Sequence, residues 1–168
     1  MTDDARWRSL TAADLAAVDA IAAIVHPDYP EDEAVAAERL ALYPDGCFLL
    51  ESAGRPAGYA ISHPWSFGEP PALDSLLGAI PAGATTHYLH DVALLPAARG
   101  AGATSALLAI LTRQAAGAGL DTLSLVAVNG SVAFWERRGF RAVEDERIRR
   151  KLASYGRGAR FMARAVPA

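Results

Sequence analysis

Between Asp91 and Gly119 the chain reads DVALLPAARGAGATSALLAILTRQAAGAG, and this stretch constrains the fold more than any other. An apolar run of strand character reaches Pro96. Arg99 then opens a turn of small residues, Arg99-Gly100-Ala101-Gly102-Ala103-Thr104. A helical pattern follows at once, with Leu107, Leu108, Ile110 and Leu111 forming a wide apolar face. A strand feeding a glycine-rich turn at a helix N-terminus is a physical device for holding phosphate. The first helical N–H groups lack partners within the helix, and the macrodipole places partial positive charge there. Glycine lets the backbone approach an anion with no Cβ in the way. The turn therefore predicts a grip on the pyrophosphate of a cofactor. A P-loop nucleotide site is excluded, because no Lys-Ser or Lys-Thr follows the glycines.

The flanking pattern sets the architecture. Arg6 to Leu10 reads as a short strand, and Thr11-Ala12-Ala13-Asp14 has the form of a capping box that starts a helix to Val25. His26-Pro27-Asp28-Tyr29-Pro30 breaks that helix, and Glu31 to Leu42 makes a second one, acidic in its first turn. Two strands follow, Cys47 to Glu51 and Ala57 to Ser62, joined by a hairpin turn at Ala53-Gly54-Arg55-Pro56. His63 to Thr86 is a Pro- and Gly-rich connection with a short helix expected at Ala72 to Leu77. Thr86 to Leu95 and Asp121 to Val128 read as strands on either side of the long helix. Asn129-Gly130-Ser131 turns into a short helix, Val132 to Arg138, and strands are expected at Phe140 to Val143 and Ala159 to Val166. This order predicts one domain over residues 1–168, of mixed α/β class, with helices on both faces of the sheet.

Bulk properties remove several functions. A chain of 168 residues with a formal charge of -3 has no overall attraction for nucleic acid. The Arg-rich stretch from Arg147 to Arg164 follows the acidic Glu144-Asp145-Glu146, which weakens a nucleic-acid reading further. The single cysteine, Cys47, excludes an internal disulfide framework and reads as a small buried hydrophobe beside Phe48. The N-terminal segment is acidic before it is basic and has no apolar core, so no signal peptide is expected. No apolar run approaches the roughly 20 residues a membrane helix needs. The expected location is the cytoplasm.

With these residues in view, the chain resembles the GNAT superfamily of N-acetyltransferases. That family's pattern is Arg or Gln, two residues, Gly, one residue, then Gly or Ala, between a strand and a helix. Arg99 to Thr104 matches it except that Thr104 stands where Gly or Ala is usual. The second resembling stretch is Val132-Ala133-Phe134-Trp135-Glu136-Arg137-Arg138-Gly139-Phe140, similar to the family's short helix with an aromatic pair before Gly-Phe. The resemblance implies a mostly antiparallel sheet of six to seven strands with a splayed central pair. It also implies acetyl-CoA as cosubstrate and no metal. Backbone groups of Gly100, Ala101, Gly102, Ala103 and Thr104, with Arg99, would hold the pyrophosphate. Val92, Ala93 and Leu94 would pair with the pantetheine, while Asn129, Phe134 and Trp135 would flank the cofactor.

The implied reaction is direct attack of a neutral amine on the thioester. It needs a donor for the developing oxyanion, a proton acceptor and a proton donor for the thiolate. The resemblance places the first at the Leu94 N–H. Trp135 occupies the place of the family's usual tyrosine acid, and indole N–H has no useful acidity, so another tyrosine (Tyr88 or Tyr155) or a water is the donor, or the thiolate leaves unprotonated. His90 or Asp91 would accept the amine proton. Because strand residues alternate sides, His90 and Asp91 are expected on opposite faces, with at most one in the cleft. The same alternation separates His87 from His90 and argues against a metal site.

The acceptor pocket is expected between the link His26 to Glu33 and the stretch Lys151 to Arg160. Its acidic and basic sides suggest an acceptor with both an amine and an anionic group, such as an amino acid derivative. The loop carrying Trp65, Phe67 and Glu69 is a further candidate cover. Expected partners are a small-molecule or peptide amine and a second copy of the chain as a homodimer, with no nucleic acid and no membrane. The reading from another class is a non-catalytic acyl-CoA-binding or regulatory module, motivated by Trp135.

Overall fold

The structure, a computed structural model, describes residues 5–168. Asp3 and Asp4, which carry the acidic character of the N-terminal segment, lie outside them. Strand β1 (Arg6–Ser9) leads through a 3-10 turn (Ala12–Asp14) into α1 (Leu15–Val25). The capping arrangement forms: the Asp14 carboxylate accepts the Thr11 N–H at 2.8 Å and both terminal nitrogens of Arg8, at 2.7 and 2.9 Å. Helix α2 (Glu33–Leu42) starts later than its acidic run suggested, because Asp32 is the N-cap and accepts the Ala34 N–H at 2.9 Å. Glu31 is left outside the helix. Strands β2 (Cys47–Ser52) and β3 (Arg55–Trp65) then form a hairpin. Its turn is only Ala53-Gly54, both at positive φ (50° and 73°), the backbone a two-residue hairpin favours. So β3 begins at Arg55, inside the turn expected from sequence, and runs on past Ser62 to Trp65.

Next come β4 (Thr86–Leu94), a 3-10 turn (Pro96–Ala98), α3 (Ala103–Gly117), β5 (Thr122–Ala127), α4 (Val132–Glu136) and β6 (Arg141–Ala142). Helix α5 (Glu146–Arg150), a 3-10 turn (Ala153–Tyr155) and β7 (Arg160–Ala165) complete the chain. Helix α5 was not anticipated; Asp145 caps it, accepting the N–H groups of Arg147 and Ile148 at 2.8 and 3.2 Å.

The seven strands form one sheet in the order β1-β2-β3-β4-β5-β7-β6, and only the β4–β5 pair is parallel. Helices α1 and α2 cover one face, burying Val18, Ile21 and Ala36 against Leu49, Tyr59, Ile61 and Ala93. Helix α3 covers the other, where Leu107, Leu108 and Leu111 pack on Leu89, Leu125 and Met162. Each such leucine contributes about 1.5–3 kcal/mol by leaving water, so the long helix is pinned where its N-terminus meets the end of β4.

The helix expected at Ala72 to Leu77 does not form. Asp74 has φ 59°, outside the right-handed helical region, and the segment's N–H groups bond to side chains instead. Asp74 donates to Glu31 Oε2 at 2.9 Å, and Leu77 and Gly78 donate to Glu38 at 2.6 and 3.0 Å.

Two features of β4 set the stage for a site. Its pairing with β5 is confined to His87–Leu89 against Leu123–Leu125, beyond which the strands part. The Leu95 N–H donates to Ala57, so alternation along the ladder points the N–H groups of Val92 and Leu94 away from β3, into the gap. The second feature is a bulge. Ile61 pairs with Asp91 but Ser62 pairs with Leu89, leaving His90 as an extra residue.

Candidate active site

The gap between β4 and β5 opens into a cavity of about 490 Å3. One end is built by the glycine turn. Gly100 and Gly102 stand at φ 82° and 81°, and Gly102 is the N-cap of α3. A Cβ at either glycine would meet nothing within 4 Å, so the left-handed backbone, and not lack of room, selects glycine here. No side chain caps α3, which leaves its first N–H groups to an external acceptor. Arg99 lines the cavity and donates from Nε to the Leu94 carbonyl at 3.1 Å, tying the turn to the strand end.

Opposite the turn lie Asn129 (φ 55°), Phe134, Trp135 and Arg138. Trp135 is mainly core: it is buried and meets Phe134 and Phe140 edge-on, with ring centroids 5.0 and 5.5 Å away. Arg138 holds its guanidinium 3.6 Å above the Phe134 ring and donates to the Phe134 carbonyl at 2.9 Å. Burial lowers its pKa, and its Nε is buried without a partner. An uncapped helix N-terminus flanked by Arg99 and Arg138 is a fitting place for an anionic group.

The far end of the cavity has the opposite charge. Here His90 and Asp91 both contribute, contrary to the alternation expected of a strand. The bulge removes the alternation locally and turns both side chains toward α1 and α2. Asp91 accepts from the Tyr59 hydroxyl at 2.5 Å and from His26 Nε2 at 3.1 Å. Burial pushes the Asp91 pKa up, but His26, by hydrogen bond and charge, and Tyr59 outweigh it and hold the carboxyl below its usual range. Burial likewise opposes charge on His26, and Asp91 overrides it, leaving that pKa raised. The His90 side chain is 2% exposed, and its Nε2 lies 2.9 Å from Glu31 Oε1. The Glu31 pKa is pushed up by burial but brought below its usual value by His90 and by the Asp74 N–H. Nε2 is the ring nitrogen that meets Glu31; the other, Nδ1, is buried and has no partner among the described residues, and in the neutral ring that donates from Nε2 it is the lone-pair nitrogen.

Comparison with known proteins agrees with this geometry. The acetyltransferase (GNAT) family model matches residues 15–140, which takes in α1 to Phe140 and every residue lining the cavity but Tyr155. The chain belongs to the GNAT family. No curated protein matches it in sequence. Among solved structures, the fold is shared with Ard1 from Thermoplasma volcanium at 16% identity and TM-score 0.73, covering 98% of this chain and 99% of that one. It is shared with N-acetylglutamate synthase from Neisseria gonorrhoeae at 18% identity and TM-score 0.71, covering all of this chain but 36% of that one. A GNAT-like decarboxylase, GphF, is similar at 16% identity and TM-score 0.75, over 96% of this chain and 100% of that one. These similarities establish the fold, and that fold serves more than one reaction.

Within this GNAT domain, Leu94, Val92, Arg99, Gly100, Ala103, Thr104, Asn129, Phe134 and Trp135 all line the cavity, as do His90, Asp91 and Tyr155. Ala93, Ala101 and Gly102 do not. Ala93 packs beneath α1, and its place in the ladder turns its N–H toward β3. Gly102 contributes conformation, not lining. Tyr155 donates its hydroxyl to the Pro71 carbonyl at 3.0 Å, and burial raises its pKa. Tyr88 is enclosed and lines neither this cavity nor its neighbour.

Of the stretch Lys151 to Arg160, Tyr155 lines the cavity but the basic residues do not. Lys151 pairs with Glu69 at 3.2 Å and Arg160 donates to the carbonyls of Arg157 and Ala159, and none of these three basic residues lines a cavity. The predicted anionic side of the acceptor therefore has no counterpart there. Glu31, His26, Tyr59 and Arg138 were not singled out from sequence. The link containing His26 and Glu31 lines both cavities, but no spacing signals which of its acids reaches a histidine 59 residues away. Cys47 is fully buried, and burial pushes its thiol up to about 11, as expected of a packing residue. Among the described residues no helix is long and apolar enough to cross a membrane.

Proposed function

We propose that this GNAT domain transfers an acetyl group from acetyl-CoA to a primary amine of a small molecule or peptide by direct attack. The observation that carries the reading is one continuous cavity. It runs from an uncapped helix N-terminus, along two strand N–H groups in a parted sheet, to a histidine with an unpartnered nitrogen. Acetyl-CoA supplies the thioester. Two structural neighbours were solved with coenzyme A or isobutyryl-CoA although their names describe different reactions, which supports the cofactor half in particular.

In this reading the N–H groups of the turn from Gly100 to Thr104, with Arg99, hold the pyrophosphate. The Val92 and Leu94 N–H groups face the pantetheine arm, and Leu94 N–H stabilises charge on the acetyl oxygen. As the C–N bond forms and the C–S bond breaks, His90 Nδ1 takes the proton that the amine nitrogen sheds. Asp91 is not the base, since its oxygens already serve Tyr59 and His26. Tyr155, the phenol lining the cavity, would turn its hydroxyl from the Pro71 carbonyl to the departing thiolate, give its proton there and regain one from solvent.

The deciding experiment measures free thiol release from acetyl-CoA across a broad amine panel, alongside CoA binding by calorimetry. The reading expects release with at least one amine. Binding of CoA with no release on any amine would replace it with the non-catalytic acyl-CoA-binding module.

A further inference from the structure

A second cavity, of about 340 Å3, lies against the first. His26, Tyr29, Glu31, His90 and Asp91 line both, so the two spaces meet at the proposed proton acceptor. The second cavity opens between α1, the link after it and the start of α2, over Tyr59 and Ile61 of the sheet.

Its charge is one-sided. The acidic residues it gathers are Asp19, Glu31, Asp32, Glu33 and Asp91, and neither Lys nor Arg lines it. Glu31 and Asp91 are matched by His90 and His26. Asp32 spends Oδ1 on the cap of α2. Asp19 and Glu33 have no ion pair among the described residues. An independent feature of the same wall is His90, whose side chain is 2% exposed and whose Nδ1 is buried without a partner among the described residues. At Asp19, Asp32 and Glu33 a ligand carboxylate would meet like charge, while His26 and His90 are engaged by Asp91 and Glu31. A ligand that presents N–H groups at the junction and positive charge beyond it would be matched at both places.

We propose that the acceptor carries a second, cationic group and that this cavity holds it. One nitrogen, unprotonated, sits at His90 facing the first cavity; another, protonated, lies among Asp19, Asp32 and Glu33. This assignment rests on the transferase reading, but its central test does not need turnover. Calorimetry on the full chain with CoA present would compare 1,4-diaminobutane, butylamine and glutamate. The expected order is diamine well ahead of monoamine, with glutamate weakest, and the diamine advantage shrinking at high salt as exposed charge is screened. In the double variant Asp19→Asn with Glu33→Gln, the ratio of diamine to monoamine affinity should fall about tenfold, since two partly exposed ion pairs are removed. The ratio serves as its own control for general damage to the fold. Equal affinity for diamine and monoamine, tighter binding of glutamate, or no amine binding at all would each overturn the assignment. Diamine binding without thiol release would leave the subsite standing and remove the transferase reading alone.

Discussion

The two ends of the large cavity differ in charge and in how they are made. The cofactor end is local and built from backbone: six consecutive residues, Arg99 to Thr104, and the turn and short helix from Asn129 to Arg138. Its charged lining is Arg99 and Arg138. The acceptor end is assembled from side chains far apart in sequence: His26 and Glu31 beyond α1, Tyr59 on β3, His90 and Asp91 on β4, Tyr155 before β7. Its charge is carboxylate, balanced by histidines. A backbone site survives many side-chain changes, whereas a constellation of this kind is broken by one. The two ends should therefore fail differently.

The largest effect is expected at the acceptor end. His90→Ala should lower kcat by about 10²–10⁴-fold, the range for losing a proton acceptor, while CoA affinity measured by calorimetry stays within twofold (~0.4 kcal/mol). If CoA binding weakened as much as turnover, the two ends would not be separable. Next is the core they share. Trp135→Ala should cost about 3–5 kcal/mol of stability in urea denaturation, because the ring is buried between Phe134 and Phe140. A loss under about 1 kcal/mol would mean that the ring serves the cavity and not the core.

At the cofactor end, Arg99→Glu puts negative charge beside the uncapped helix N-terminus on an exposed side chain. CoA affinity should fall about 10–100-fold with little change in melting temperature. Unchanged CoA affinity would take the turn out of its assigned role.

A pH dependence is seated beneath the acceptor end. Burial holds His63 down to about 3 and His87 down to about 4, from the ordinary 6.5. Below pH 6.5 the unfolded chain binds protons that the native state refuses, so stability falls as pH drops toward 4. Each histidine contributes about 1.4 kcal/mol per pH unit in that window. Denaturation curves at pH 7, 6 and 5 check it; a flat profile would show that these rings find protons in the folded state. The His63 ring lies 5.6 Å from Tyr88, which lies 6.5 Å from His90, so acid should loosen the acceptor end first.

The same contrast explains what could be read from the residues alone. The glycine turn, the long helix and the aromatic stretch were legible because their physics is local: positive φ demands glycine, and an apolar face with a helical period demands a sheet to cover it. The irregular segment after β3 was not. Ala72 to Leu77 has passable helical character, but Glu31 and Glu38, some forty residues earlier, take its N–H groups. Helix α5 was missed although Asp145 is a good cap, because its run of arginines has no apolar period, and Ile148 alone anchors it. The acidic and basic sides assigned to the acceptor came from charge in sequence, and the folded chain spends Lys151 on Glu69 and Arg160 on nearby carbonyls.

The sequence by itself determined the class of sheet, the turn that can hold an anion and the family to which these features belong. Only the tertiary structure decided who meets whom at the acceptor end. The decisive step is one residue. Strand alternation assigns His90 and Asp91 to opposite faces, and no local propensity announces a bulge there. The bulge exists because Ile61 and Ser62 of β3 pair out of step with β4, a register set by the whole hairpin and its packing under α1 and α2. That mismatch places Glu31 against His90 and His26 against Asp91, and so leaves the Nδ1 of each histidine open at the junction of the two cavities.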